Sequence, residues 1–150
     1  KDSSMLSRKL TESNRVLVAV KEYVEARSLP NHPSDLQDRD WIRFEARPST
    51  TELIADSGET VTISENARIG VNSAEAARHF AHQTMGITIL PEHLVEDSLG
   101  TGELVHVLPQ WNPTPLGYYA VWPDKSRRQN LTVILVRFLA KACQGASPIA

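Results

Sequence analysis

The chain has 150 residues, enough for one ordinary hydrophobic core or for two small lobes sharing a hinge, and too few for more. Its 41% hydrophobic and 23% charged residues set aside disordered and fibrous classes, and a net charge of -2 supplies no basic field for a phosphate backbone, so the chain alone is not expected to bind DNA. The single cysteine, Cys143, excludes an internal disulfide, and no apolar run reaches the roughly 20 residues that span a bilayer, which together favour a cytoplasmic origin. The chain begins at Lys1 with no Met and no signal-peptide pattern, and it reads as a piece of a longer protein.

Residues 1–14 are polar with scattered Met5, Leu6 and Leu10, too little apolar surface for a domain. Residues 15–20, RVLVAV, read as a strand apolar on both faces, and 21–27 carry helical spacing through Tyr23, Val24 and Ala26. A two-proline loop at 29–33 precedes a short turn through Leu36, capped by Ser34. Residues 41–46 alternate, with Ile42, Phe44 and Ala46 on one side and Trp41, Arg43 and Glu45 on the other, the pattern of a strand with one wet or cleft-facing side. Residues 52–55 and 60–64 form a hairpin about Asp56-Ser57-Gly58-Glu59.

The central stretch repeats the strand and helix pattern. Residues 68–71 form a strand, Asn72 and Glu75 have capping-box spacing, and a helix runs over 73–85 with Gly86 in the left-handed position that closes it. Ala76, Ala77, Phe80, Ala81 and Thr84 share one face of that helix, with Arg78, His82 and Gln83 elsewhere. Ile87, Ile89 and Leu90 make an uncharged run, the pattern of a strand buried on both faces. Pro91 starts a helix over 92–99 that ends at Gly100, and 103–108 return as a strand. Three prolines around Trp111 give a stiff extended connection over 109–115; 116–122 form a strand, 124–129 a charged loop and 130–142 an amphipathic helix with Leu131, Ile134, Leu135, Phe138, Leu139 and Ala142 on its apolar face. Strands alternating with helices are the grammar of an α/β sheet, in which ligands bind beyond the carboxyl ends of strands and at helix N-termini.

Several residues could carry chemistry. His79, His82 and His93 lie close in sequence, but they have no converging Cys or carboxylate partners and occupy the polar side of a helix, so no metal site is expected. Ser73 lacks the Gly-x-Ser-x-Gly elbow of a nucleophile and reads as part of a helix start. Glu92, Glu96 and Asp97 would act as acid and base only in a desolvating cleft, Gly100-Thr101-Gly102 lacks the Lys-Ser/Thr of a phosphate loop, and Cys143 has no basic partner. Arg43, Arg47 and Lys21 either pair with an anionic ligand or serve as solubilising charges. No catalytic residue is assigned.

The run of motifs then points to a family. RVLVAVKEYV from Arg15, PSDL from Pro33, WIRF from Trp41, VNSAEA from Val71, GITILP from Gly86, GELVHVLPQW from Gly102 and YAVWP from Tyr119 together resemble the effector-binding domain of LysR-type transcriptional regulators, over about residues 2–142. The resemblance implies a periplasmic-binding-protein-like type II α/β fold: a Rossmann-like lobe over 15–119 with a mixed, mostly parallel sheet flanked by helices, part of the other lobe in 1–14 and 120–142, and a tail over 143–150. The family's winged helix-turn-helix and the opening half of its first lobe have no counterpart in these residues. The family commonly carries Ser-Pro after its hinge strand, whereas Val20 and Lys21 stand here and bring a positive charge.

By that resemblance the chain is the small-molecule (co-inducer) sensing domain of a bacterial DNA-binding regulator, without catalysis, cofactor, metal or membrane partner. Operator DNA and RNA polymerase are met only through the full-length regulator, which is a dimer or tetramer in the cytoplasm. Regulatory domains of the family pair antiparallel through the 73–85 helix, whose outer Arg78, His79, His82 and Gln83 would face the neighbour. The effector is expected against Val20, Lys21, Phe44, Asn72, Ser73 and Thr88, which lie at strand ends or at a helix N-terminus, where an anionic or polar ligand is favoured. A solute-binding lobe of a transport system and an α/β hydrolase are the alternatives.

Overall fold

The computed structural model describes residues 5–123 and 131–145. In chain order the elements are β1 (Met5–Ser13), β2 (Arg15–Val20), α1 (Lys21–Glu25), a 3-10 turn (Pro33–Leu36), β3 (Trp41–Phe44), β4 (Thr50–Ala55), β5 (Thr60–Ser64) and β6 (Ala67–Val71). They continue with α2 (Ala74–His82), β7 (Thr88–Pro91), a second 3-10 turn (Glu92–Leu94), α3 (Glu96–Thr101), β8 (Leu104–His106), β9 (Trp111–Pro113), β10 (Leu116–Pro123) and α4 (Leu131–Gly145). The charged loop expected at 124–129 and the tail beyond Gly145 lie outside the described residues. Contacts divide the chain into two compact units, Asn14–Thr114 and a second made of Lys1–Ser13 with Pro115–Ala150.

The larger unit is built on a mixed sheet. β2 pairs antiparallel with β7, Arg15 opposite Pro91 and Val18 opposite Thr88, and on its other side antiparallel with β8, Val20 opposite Leu104. β3 pairs parallel with β6, Phe44 opposite Val71. A parallel bridge between Trp41 and Ile87 joins the two groups, with the Ile42 N–H donating to the Ile87 carbonyl and the Ile87 N–H to the Asp40 carbonyl, each at 2.9 Å. The order is therefore β6-β3-β7-β2-β8, and only β2 runs against the rest. Both apolar runs read from the sequence occupy its middle: Val16 to Val20 of β2 and Thr88 to Leu90 of β7 are buried.

Helix α2 packs against β3, β7, β2 and β6. Ala77 and Ala81 are buried against the sheet, where small side chains let the helix approach closely, while Ala74, Ala76 and Phe80 are partly buried at the margin. β4, β5 and β9 form a separate antiparallel sheet, Leu53 lying opposite Val61 and Pro113, and send Leu53, Ile63 and Trp111 into the same core. β9 is the strand hidden in the proline-rich connection: Pro113 has no N–H to donate, yet it sits on the outer strand, where no ladder donor is needed.

Local structure departs from expectation at several ends. Ser73, not Asn72, is the N-cap of α2: its hydroxyl accepts from the Ala76 N–H at 3.3 Å, and Glu75 pairs with Arg78 at 3.0 Å instead of reaching back. The helix stops at His82, three residues early. Thr84 takes the left-handed position at φ 62°, its N–H donating to the Ala81 carbonyl and the Met85 N–H to the Phe80 carbonyl, a Schellman closure that the sequence pattern assigned to Gly86. The region 92–99 is broken into a 3-10 turn and α3, which ends at Gly102 with φ 78°, not at Gly100. The turn at Pro33 is capped by His32, whose ring accepts from the Ser34 N–H at 3.2 Å, with Asp35 accepting from the His32 N–H at 3.1 Å. Strand β3 has no wet side at its start: Trp41 is fully buried and its indole N–H donates to the Leu36 carbonyl at 3.1 Å.

Thr84 is β-branched, and a left-handed conformation costs such a residue about 1–2 kcal/mol, against roughly 0.5–1 kcal/mol of extra chain entropy that a glycine loses on folding. A Thr84→Gly change is expected to stabilise the unit by about 0.5–1 kcal/mol, read as a higher urea midpoint at constant slope. A lower midpoint would mean that the Thr84 side chain makes contacts worth more than its backbone strain.

The smaller unit is a two-stranded antiparallel ribbon, Met5 opposite Pro123 and Ser13 opposite Leu116, with a register shift at Leu10, and α4 packs against β1. The polar opening of the chain is thus a strand. Its composition hides it because every residue from Met5 to Lys9 is exposed, so no alternation appears. Helix α4 buries Val136 and Ala140, while Leu131, Ile134, Leu135 and Phe138 of the expected core face are exposed.

Candidate functional site

Strand polarity decides which residues meet. β3, β6 and β7 finish at the same end of the sheet, and because β2 runs the other way, its first residue, Arg15, lies at that end too, opposite Pro91. Beyond Phe44 the Glu45 N–H donates to the Val71 carbonyl at 2.8 Å, and the Arg47 N–H turns back to the Phe44 carbonyl at 3.1 Å. Beyond Val71 come exposed Asn72 and half-buried Ser73, which opens α2 and turns the helix's positive end toward this edge.

A group of charges is crowded here. The Glu65 side chain, just past β5, has no exposed surface; one carboxylate oxygen accepts from the Thr51 hydroxyl at 2.6 Å, and Arg47 Nη1 stands 4.0 Å from the same oxygen. Arg15 donates through Nε to the Thr114 carbonyl at 2.6 Å. Burial holds Arg15 below the ordinary arginine value, the neighbouring Arg47 adds to that, and Glu65 opposes it. Burial likewise lowers Arg47, with Glu65 opposing and Arg43 adding to the depression. Arginine does not lose its proton in the working range, so these directions register crowded, partly desolvated positive charge with one carboxylate against three guanidiniums. Four buried atoms of this group have no hydrogen-bond partner: Arg43 Nε, both terminal nitrogens of Arg47, and Glu65 Oε2. Buried donors without acceptors are costly, and an anion placed among them would recover that cost.

The six residues expected to line the effector site separate in the fold. Phe44, Asn72 and Ser73 come together at the carboxyl ends of β3 and β6. Val20 and Lys21 lie at the other end, since Val20 pairs with Leu104 at the start of β8, five residues and about 17 Å along β2 from Arg15. Val20 is buried, and Lys21 is exposed and pairs with Glu25 at 3.6 Å. Thr88 sits inside the sheet with no exposed surface, its hydroxyl donating to the Ile42 carbonyl at 2.9 Å. Arg43 and Arg47 are legible in the sequence as anion candidates; Arg15, Thr51 and Glu65 are not. Arg15 reads as an ordinary strand start and Glu65 as a loop acid, and only the pairing of distant strands brings them together.

The histidines of the central helix divide. His79 is exposed beside Phe80, whereas His82 turns inward, its Nε2 3.4 Å from the Ser98 hydroxyl of α3, so it is not part of an outer face. No group of three or more His, Cys, Asp or Glu converges as a metal site among the described residues. Among the same residues no helix is long and apolar enough to cross a membrane.

Residues 1–144 match the LysR substrate binding domain. The chain belongs to that family. Among curated LysR-type relatives, it is 29% identical over 127 residues to the HTH-type transcriptional activator AaeR of Escherichia coli K12, covering 84% of this chain and 41% of the relative. It is 30% identical over 126 residues to the HTH-type transcriptional regulator PtxR of Pseudomonas aeruginosa, covering 83% and 40%. The regulatory domain of the C227S variant of AphB from Vibrio vulnificus superposes with a TM-score of 0.76 at 29% identity, over 95% of this chain and 72% of that one. The chain thus spans about two fifths of the length of the curated relatives it matches, and its α/β fold is that of LysR regulatory domains, as the motifs implied.

Proposed function

We propose that this chain senses a small anionic effector for a LysR-type transcriptional regulator, and that the effector binds the larger unit at the carboxyl ends of β3 and β6. The carrying observation is the set of buried guanidinium nitrogens on Arg43 and Arg47 without hydrogen-bond partners, at the edge where Phe44, Asn72, Ser73 and the α2 N-terminus converge. Binding without catalysis fits a site that meets an anion with buried guanidinium donors. The likeness to transcriptional regulators favours this reading over a transport lobe or a hydrolase. In the same reading, operator DNA and RNA polymerase are contacted through other parts of a cytoplasmic homo-oligomeric regulator, since the acidic balance of this chain does not favour DNA.

Calorimetric titration with small carboxylates tests the site. Arg43→Gln and Arg47→Gln are each expected to weaken binding by about tenfold to a hundredfold, the worth of a hydrogen bond to a charged group, and Lys21→Gln to leave it unchanged because that residue sits at the far end of the sheet. If Lys21→Gln weakens binding as much as Arg47→Gln does, the effector lies at the other end of β2 and this placement is wrong.

A further inference from the structure

We infer that the anion bound here also carries a hydroxyl, so that the ligand class is a hydroxycarboxylate, its carboxylate on the Arg43 and Arg47 guanidiniums and its hydroxyl donating to Glu65 Oε2. The inference rests on the effector site proposed above and adds a second recognition group to it.

Glu65 is the informative residue. A buried carboxylate that served only to neutralise arginines would close on one of them in the two-pronged geometry that guanidinium favours. Glu65 does not. Thr51 holds Oε1 at 2.6 Å, Arg47 Nη1 stays at 4.0 Å, beyond hydrogen-bond range, and Oε2 is left without a donor although the side chain has no exposed surface. The site therefore offers several donors and one acceptor, all buried.

Ligand chemistries can be sorted against that pattern. A plain carboxylate satisfies the arginines and leaves Oε2 facing apolar or anionic surface. A keto acid is worse, because its second oxygen only accepts and would meet the carboxylate lone pairs. An amino acid supplies donors to Oε2, but its ammonium must sit among three guanidiniums. A hydroxyl donates one proton to Oε2 and can accept from Arg47 with its lone pairs at the same time, without bringing charge of either sign.

Matched ligands that differ at one position provide the test: malate against succinate and aspartate, and mandelate against phenylacetate and phenylglycine. Calorimetry on the purified chain is expected to show the hydroxy acid of a set binding about tenfold to a hundredfold tighter than the plain acid, with the amino acid weaker than both. In Glu65→Gln, Thr51 keeps its acceptor in the amide oxygen and an NH2 group replaces Oε2. That variant is expected to bind the plain acid more tightly, through loss of the repelling charge, and to improve the matching keto acids, oxaloacetate and phenylglyoxylate, more than the hydroxy acids, because the amide NH2 now donates to an oxygen that only accepts. Equal binding of hydroxy and plain acids by the wild-type chain, with Arg47 still required, overturns the hydroxycarboxylate inference and leaves the anion site standing; water then bridges the gap. Absence of binding by every acid removes both. A keto acid that gains no more than the hydroxy acid in Glu65→Gln assigns the hydroxyl to another residue. The wild-type comparison decides by itself if the variant fails to fold.

Discussion

Gly86→Ala is expected to be among the most damaging single changes in the larger unit, at roughly 2–6 kcal/mol from backbone strain and overpacking together. Gly86 has φ 151°, and a Cβ there would stand 2.3 Å from the Asp40 carbonyl oxygen and 2.9 Å from its carbon. Those are backbone atoms, so relief requires moving the chain. The atom displaced is the acceptor for the Ile87 N–H at 2.9 Å, one of two backbone hydrogen bonds at the bridge between the β3 and β7 segments. Asp40 also accepts from Arg27 at 3.2 Å and Arg68 at 3.5 Å, and its N–H donates to the Tyr23 hydroxyl at 3.0 Å. Gly70→Ala is the control. A Cβ on Gly70 would come within 2.4 Å of Glu45 Oε1, but that is the far end of an exposed, flexible side chain that can swing away. The expected result is a large drop in urea midpoint for Gly86→Ala and a small one for Gly70→Ala. Equal drops would mean that backbone contact at Asp40 is not what fixes Gly86.

The two glycines also show what the sequence could and could not say. Gly86 reads as a helix stop because Gly commonly follows a helix, but glycine is needed there for a different reason. The stop is made by Thr84, a residue type that sequence rules steer away from positive φ, and Gly86 is required by a strand that arrives from residue 40. Such an encounter depends on tertiary approach and leaves no local pattern. The buried runs Val16 to Val20 of β2 and Thr88 to Leu90 of β7, by contrast, are legible because burial on both faces excludes every polar side chain but Thr88, whose hydroxyl is satisfied on the Ile42 carbonyl. The site divides in the same way. Asn72 and Ser73 were visible as a helix start, and Arg43 and Arg47 as candidate anion partners. Val20 and Lys21 lie apart from them because β2 runs against its neighbours. Strand direction comes from pairing, not from composition, and reversing one strand moves its carboxyl end to the opposite edge of the sheet.

Trp41→Ala is expected to cost about 3–5 kcal/mol for the buried ring, and about 1–3 kcal/mol more because the Leu36 carbonyl loses the indole donor. Trp41 is fully buried, its N–H reaches Leu36 at 3.1 Å, and it opens β3 at the bridge to Ile87. Trp41→Phe keeps most of the volume and loses the donor, so its cost should stay near the smaller figure. Far-UV circular dichroism through a urea titration separates the two without relying on the fluorophore being removed. The consequence for function follows from strand periodicity. Residues two apart in a strand share a face, so Trp41 and Arg43 project from the same side of β3, and loss of the ring is expected to loosen the strand that carries the Arg43 guanidinium. Under conditions where both variants remain folded, carboxylate binding should therefore survive in Trp41→Phe and fall in Trp41→Ala. Undiminished binding by folded Trp41→Ala would show that the far end of β3 is held by its pairing with β6, Phe44 against Val71, and that the core ring contributes stability alone.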